Sequence, residues 1–549
     1  MKRMTPRMAL VALCLATAAL LAAGNVRAGR FAIGVERGAS LDRLERRLER
    51  MTGGRVTRNL AAVGALTLSA PAAKGAERLP GVRYVERIDR VRRLAFSPPD
   101  PLAARQWYLG QTRAFDAWPE LPALGGVRVA IVDSGIDYGH PEFAGRIAET
   151  KTFVGGDPRK DELGHGTFVA GIIAANLGNG QGIAGIAFPS QLLIAKVVRG
   201  GDRTIPVEAE AEAIRWAVDK GAQVINLSLG GLRDPRNPKR DTYSQLEADA
   251  VAYAYRRGAV LVAAVGNTEG TPRKPWPFAS YPAALPHVIG VSALARDGSI
   301  PSFSHQDKIF NDISAPGQEI FSTLPRALTA QRPECVHQGY SECGPDEYRL
   351  AEGTSFAAPQ VAAAAALVRS VRPDLQPGQV MHVLTRTAVD TSPLVGRDAY
   401  AGWGRLDITN AVQRARDAKP PSPDSRETND DAGSQAATLW GRRGGTVRAT
   451  IDFWDDQTDV YRVRLRKGQR LFASLRGPPG TDLFLWKPGT KRVDAISEVL
   501  QHHRVAQSAQ RGSVERFAYR APRRADGFYY LQVKISEVGD GPYTLSVTK

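Results

Sequence analysis

Three short stretches carry side chains whose types and spacing could do chemistry. Asp133-Ser134-Gly135-Ile136-Asp137 follows an apolar run that ends at Val132. Gly164-His165-Gly166-Thr167 opens an apolar helical pattern, and Gly353-Thr354-Ser355-Phe356-Ala357-Ala358-Pro359 opens an alanine-rich one. Singly, each has an ordinary reading as a turn carboxylate, a structural histidine or an N-cap serine. Together they supply a carboxylate, an imidazole and a hydroxyl in glycine-rich settings. A serine hydroxyl becomes a nucleophile when an imidazole takes its proton. The imidazole in turn needs a carboxylate to fix its tautomer and steady its charged form. The glycines let backbone and substrate approach closely.

Such residues need a scaffold. Between residues 102 and 415, apolar runs alternate with helical patterns: strands at 127–132, 192–198, 222–227, 259–264 and 288–291, and helices at 207–220 and 246–257. Strands alternating with helices predict an α/β fold with a parallel sheet covered on both faces. Such sheets carry their sites at the carboxyl ends of the strands.

At this point the sequence resembles the subtilisin family of serine peptidases. Asp133, His165 and Ser355 fall on that family's three signature motifs in its chain order, and the likeness covers roughly residues 105–415. The resemblance implies a serine endopeptidase with Ser355 as nucleophile, His165 as base and acid, and Asp133 orienting it. Ala263-Ala264-Val265-Gly266-Asn267 resembles the oxyanion segment, which makes Asn267 a donor beside the Ser355 N–H at a helix N-terminus. Ser228-Leu229-Gly230-Gly231 resembles the strand that pairs with substrate backbone. With Ala264, Gly266 and Ser280 it is expected to line the pocket for the residue before the scissile bond. No acidic residue falls at the base by this comparison, which implies a neutral or apolar preference; Glu269 is near enough in sequence to oppose it. Phe356 replaces a methionine common in the family, removing an oxidation target. Leu177-Gly178-Asn179-Gly180-Gln181-Gly182-Ile183 resembles the family's calcium loop, with Gln106 as a further ligand and Glu142 standing where the family has aspartate. A structural Ca²⁺ is therefore expected on Gln106, Glu142, Leu177, Asn179, Gln181 and Ile183. No cofactor is implied for the chemistry.

Flanking segments set the compartment. Lys2, Arg3 and Arg7 precede an apolar run over residues 8–23, and Val26 and Ala28 occupy the −3 and −1 positions of a small-residue cleavage site. Residues 1–28 read as a secretory signal peptide, and no other stretch is long enough to span a membrane. Of the 3 cysteines, Cys335 and Cys343 lie outside that segment. An even pair in an exported chain favours a disulfide. Residues 29–98 read as a small α+β unit resembling the family's inhibitory propeptide, and residues 99–415 as the peptidase domain. Residues 416–435, rich in Pro, Ser, Asp and Asn, read as a linker. Residues 436–549 carry short alternating runs that predict an antiparallel β-sandwich. They resemble the pre-peptidase C-terminal domain of secreted bacterial peptidases through Asp459-Val460-Tyr461-Arg462-Val463, Gly468, Gly480-Thr481-Asp482-Leu483 and the closing 541–547 run.

The net charge of +17 is mostly arginine spread along the chain. It forms no basic block and no stripe interleaved with aromatics, so no nucleic acid is expected. The expected partners are protein or peptide substrates and the chain's own propeptide, with the chain a monomer. Two competing readings are a maturation peptidase of narrow specificity and a catalytically silent surface-binding protein using the C-terminal domain.

Overall fold

The protein is described by a computed structural model covering residues 29–549 except 37, 89–95, 119–126, 200–202, 330–346, 392–395, 423, 440, 442, 494–501, 511 and 524–525. The chain divides into two units, residues 1–95 and 96–549. The signal peptide and the Cys335 and Cys343 pair lie outside the described residues.

In the first unit, strands β1 (Gly29–Val35), β2 (Arg55–Leu60), β3 (Ala65–Ala70) and β4 (Val82–Arg87) form one antiparallel sheet in the order β2-β3-β1-β4. Helix α1 (Leu41–Thr52) turns Leu44 and Leu48 onto Ile33, Leu66 and Leu68. Their four-residue spacing puts both leucines on one face. This is the α+β unit expected at the N-terminus.

The second unit is built on seven parallel strands: β5 (Arg128–Asp133), β6 (Ile147–Thr152), β7 (Gln191–Lys196), β8 (Val224–Leu227), β9 (Val260–Ala264), β10 (Val288–Leu294) and β11 (Ile313–Pro316). Their order is β11-β10-β9-β8-β5-β7-β6. Side chains alternate between the faces with period two. Val129 and Ile131 pack towards α2 (His165–Ala174) and α5 (Thr354–Val371). Ala130 and Val132 pack towards α3 (Val207–Asp219) and α4 (Gln245–Arg256). The strands expected from apolar runs are present. β6 and β11 went unread because β6 is a polar, partly exposed edge strand and β11 has only four residues.

After β5 the chain places β6 and β7 on one side and later β8 on the other, so Asp133 ends a strand at a topological switch point. Helix α5 is buried on nearly all sides, and its run of alanines permits close approach to the sheet. Helices α6 (Pro377–Arg386) and α7 (Ile408–Asp417) cover it. Strands β12 (Ile320–Thr323) and β13 (Tyr348–Ala351) pair as an antiparallel ribbon.

The C-terminal part is a sandwich of two sheets, with strands β14 (Ala437–Thr438), β15 (Gly444–Asp452), β16 (Thr458–Leu465), β17 (Arg470–Arg476), β18 (Thr481–Trp486), β19 (Arg504–Ser508), β20 (Val514–Arg520), β21 (Gly527–Ile535) and β22 (Asp540–Thr548). The sheet orders are β14-β16-β21-β18-β19 and β15-β22-β17-β20. The stretch 416–435, read as a linker from its composition, carries buried polar residues. Thr428, Asn429 and Asp430 are buried, because the polar side chains that looked solvent-facing are taken up by neighbouring polar groups. Among the described residues, no helix is long and apolar enough to cross a membrane.

Candidate active site

His165 is the first residue of α2. Its Nδ1 lies 2.9 Å from both carboxylate oxygens of Asp133 at the end of β5. Asp133 is buried, while a quarter of the His165 side chain remains open to solvent. Burial alone would lower the imidazole pKa. The charge and hydrogen bond of Asp133 outweigh it and hold the pKa above its ordinary value.

Asp161 locks this pair in place, and the sequence reading did not find it. Its buried carboxylate accepts from the N–H of Gly164 at 2.7 Å, the N–H of Thr167 at 2.8 Å and the Thr167 hydroxyl at 2.7 Å. These groups surround the first turn of α2, whose free N–H groups favour a negative charge. Ser134 joins the two carboxylates: its N–H donates to Asp133 and its hydroxyl to Asp161. An aspartate four residues before a histidine that opens a helix was the available signal.

Ser355 stands in the first turn of α5, where backbone N–H groups have no acceptor inside the helix. Pro359 lies four residues on and has no N–H, so the helix leaves the Ser355 carbonyl without its usual donor. The Ser228 hydroxyl donates to it instead at 2.7 Å, and Asn226 donates to Ser228 at 2.9 Å. Phe356 packs under the His165 ring at 5.3 Å and against Phe168 at 4.5 Å, which brings the start of α5 to His165.

The Asn267 carbonyl oxygen accepts from both the N–H and the hydroxyl of Thr354 at 3.0 Å. The Thr354 hydroxyl also accepts from the Gly266 N–H at 3.2 Å. The amide of Asn267 is thereby oriented with its NH₂ away from Thr354. Gly353 permits this approach, since a Cβ there would stand 3.3 Å from the Asn267 nitrogen at a φ of +148°.

Leu229, Gly230, Ala264, Gly266, Asn267, Ser280 and Ser355 line one cavity of about 230 Å³. Of the expected pocket residues, Ser228 differs: it sits beneath the Ser355 backbone and does not line the cavity, because its hydroxyl is committed to that carbonyl. His305, unforeseen, lines the cavity with its Nδ1 3.3 Å from the Ser280 hydroxyl. Burial pulls its pKa down to about 4, so the ring is neutral in ordinary buffers. Glu269 also reaches this cavity.

The side chains expected to hold calcium are committed to hydrogen bonds within the loop. Glu142 accepts from the Ile183 N–H at 2.7 Å, the Tyr348 hydroxyl at 3.1 Å and the Asn179 amide at 2.9 Å. Asn179 turns its oxygen to the Gln181 N–H, and Gln106 spends both ends of its amide on the Ala184 backbone. Leu177 leans on the apolar core. A cation needs oxygens aimed at one point; here N–H and O–H donors aim at a carboxylate whose extra methylene carries it into the loop. Burial pushes the Glu142 carboxyl up to about 7 against these bonds. Gly182 makes the room, since a Cβ there would fall 1.9 Å from Glu142 Oε1.

A parallel sheet with a hydroxyl-bearing helix start, an imidazole on a buried carboxylate and an oriented amide defines a hydrolase of the serine peptidase kind. Residues 125–406 match the model of the Subtilase family. The chain is 33% identical to the Thermophilic serine proteinase of Bacillus sp. (strain AK1) over 322 residues, which is 58% of this chain and 70% of that one. It is 32% identical over 321 residues to Thermitase of Thermoactinomyces vulgaris, spanning 58% of this chain and all of that protein. With Subtilisin E of Bacillus subtilis (strain 168) it shares 33% over 367 residues, 66% of this chain and 84% of the relative. The chain belongs to the subtilase family and is a serine endopeptidase.

Proposed function

We propose that the chain is a secreted endopeptidase, made as a zymogen, in which Ser355, His165, Asp133 and Asn267 carry the reaction. The observation behind this is the Nδ1 contact of His165 to Asp133 at 2.9 Å, with the other ring nitrogen left for the start of α5. Ser355 Oγ attacks the peptide carbonyl carbon while His165 Nε2 takes its proton. Asp133 keeps the Nδ1–H tautomer and steadies the imidazolium. The oxyanion is met by the Asn267 NH₂ and the Ser355 N–H, groups oriented before substrate arrives. Collapse breaks the C–N bond, and the amine leaves with the proton from His165. Water then attacks the acyl-enzyme and gives its proton to His165; collapse breaks the acyl C–O bond, His165 returns the proton to Ser355 Oγ, and the acid is released.

Extended substrate lies along residues 228–231, and the side chain before the scissile bond enters the cavity bounded by Ser280 and His305. Ser280 and the neutral His305 favour uncharged side chains there, while Glu269, which lines the same cavity, opposes acidic ones. Residues 29–98 act as the inhibitory propeptide, and the signal peptide directs export. Purified wild type and Ser355→Ala are compared on gels with an unstructured protein substrate. Wild type shortens itself by about the propeptide mass and degrades the substrate; Ser355→Ala does neither. Equal behaviour of the two would remove the assignment.

A further inference from the structure

The boundary between the peptidase part and the C-terminal sandwich buries charge that the catalytic reading does not use. His287, at the start of β10, is 1% exposed and lies flat on Tyr255 with centroids 3.8 Å apart. Its Nδ1 is 3.3 Å from Asp455 Oδ1. Its Nε2 is 2.9 Å from Asp430 Oδ2 and 3.8 Å from Glu427 Oε2. Asp455 is itself held by the Tyr255 hydroxyl at 2.6 Å. Gly378 leaves its space, since a Cβ there would fall 1.8 Å from the carboxylate.

Glu427 is 6% exposed, yet no hydrogen-bond donor reaches either of its carboxylate oxygens. Both oxygens of Asp456, which is 2% exposed, likewise meet no N–H or hydroxyl donor, and its carboxyl faces that of Glu427. The cationic side chains near this cluster include His287, Arg256 and Arg426, and Arg492 and Lys534 line the same cavity as His287, Asp430 and Asp455. Arg256 is bonded to the Thr428 hydroxyl and Arg426 to the Arg448 carbonyl. A bare carboxylate in such a place is strongly disfavoured unless a proton or a cation joins it.

The ring geometry accommodates a cation. With Nδ1–H donating to Asp455, the lone pair of Nε2 points at Glu427 and Asp430. This is the carboxylate–histidine–metal arrangement that fixes a ligand's tautomer. The three ligand atoms of His287, Glu427 and Asp430 lie within 4.8 Å of one another. One neutral imidazole with two carboxylates suits a zinc-class cation, whereas an all-oxygen set suits calcium.

We propose that a zinc-class divalent cation binds His287 Nε2, Glu427 and Asp430, and that it fastens the C-terminal sandwich to the peptidase part. His287 comes from the peptidase part, and Glu427 and Asp430 from the segment that leads into the sandwich. The cation thus joins chain segments 140 or more residues apart, as the separation of 143 between His287 and Asp430 shows. Asp455 acts as a positioning residue.

The test uses the untagged full chain carrying Ser355→Ala, which guards against self-digestion whether or not the peptidase assignment holds. The protein is stripped with chelator and titrated separately with Zn²⁺, Co²⁺ and Ca²⁺. One equivalent of Zn²⁺ is expected, with a rise in melting temperature and visible Co²⁺ bands of a nitrogen-containing site. His287→Asn, chosen because asparagine tolerates the φ of +64° at this position, is expected to weaken Zn²⁺ at least tenfold and abolish the Co²⁺ bands. Glu427→Gln should weaken it similarly, and Asp455→Asn by a few-fold. Zn²⁺ binding unchanged by His287→Asn overturns the proposal. So does stoichiometric Ca²⁺ binding without Zn²⁺, or no ion binding at all, which would leave His287 as an imidazolium between Asp430 and Asp455. Should His287→Asn not fold, Glu427→Gln and Asp455→Asn decide by the same readouts.

Discussion

The hydroxyl of Ser228 donates to the carbonyl of Ser355 at 2.7 Å, taking the place that Pro359 leaves empty in the helix. Two chemically unlike residues, 131 positions apart in sequence (359 − 228), therefore set one carbonyl at the proposed nucleophile. Ser228→Ala is expected to lower kcat about tenfold, near 1.4 kcal/mol, with KM nearly unchanged, because the loss falls on positioning. Adding Pro359→Ala restores a backbone donor and should recover part of that loss. Steady-state kinetics on a peptide substrate, run as a double-mutant cycle, decide it; strictly additive losses would count against the coupling.

Thr354 holds the oxygen end of the Asn267 amide through two bonds of 3.0 Å. Thr354→Val removes one of them and should cut kcat by about tenfold through loss of amide orientation. Asn267→Ala removes the donor itself, for which the usual loss is about 10²–10³ in kcat. A Thr354→Val enzyme with raised KM and normal kcat would place Thr354 in substrate binding instead.

The rate should depend on pH through His165. Burial lowers its pKa, Asp133 raises it by more, and the net direction is upward. The acid limb of kcat/KM in the free enzyme should therefore lie above 6.5, the ordinary histidine value. The linked stability follows the same sign. A proton held more tightly in the folded state stabilises it below the unfolded pKa, and that contribution fades as pH rises through the folded pKa. Asp133→Asn should move the limb down and reduce kcat sharply.

Glu142 carries the same linkage sign by a different cause. Its carboxyl, pushed up to about 7 by burial, holds a proton in the folded chain over a range where the unfolded chain has lost it. The folded state binds more protons between about 4.5 and 7, so stability falls as pH rises across that window. Glu142→Gln should flatten this slope, by about 1–3 kcal/mol between its ends. Denaturant titrations at a series of pH values measure it; parallel slopes for the two proteins would refute the assignment.

Phe356 puts carbon where a sulfur atom would stand beside the nucleophile. It packs at 5.3 Å from the His165 ring. Peroxide treatment should leave most activity in wild type and remove it far faster in Phe356→Met, as followed by residual hydrolysis over time.

Much of this centre could be read from the chain alone because its signals are local. Asp133 ends an apolar run, His165 and Ser355 open helices, and Asn267 follows a buried strand. Each of those is a short-range pattern, ambiguous singly and informative in combination. Asp161, Thr354 and His305 were silent because their roles depend on partners supplied by the fold, such as Ser134 and Asn267. Glu142 misled for a related reason. One added methylene and the Tyr348 hydroxyl, 206 residues away, turn a cation ligand into a hydrogen-bonded carboxyl. The polar 416–435 stretch misled because composition reports average solvation, while burial of Asn429 and Asp430 depends on what lies opposite.

The stacking of His287 on Tyr255 bears on how such a gene can be cut and recombined. The stretch that matches the Subtilase family ends at residue 406, yet the unit that holds together runs from Phe96 to Lys549. A recombination event at the shared boundary would leave an imidazole and a phenol facing water on one fragment and orphan acids on the other. Module exchange here would need compensating changes on both sides of the join, so the two halves are expected to travel through evolution as one heritable piece.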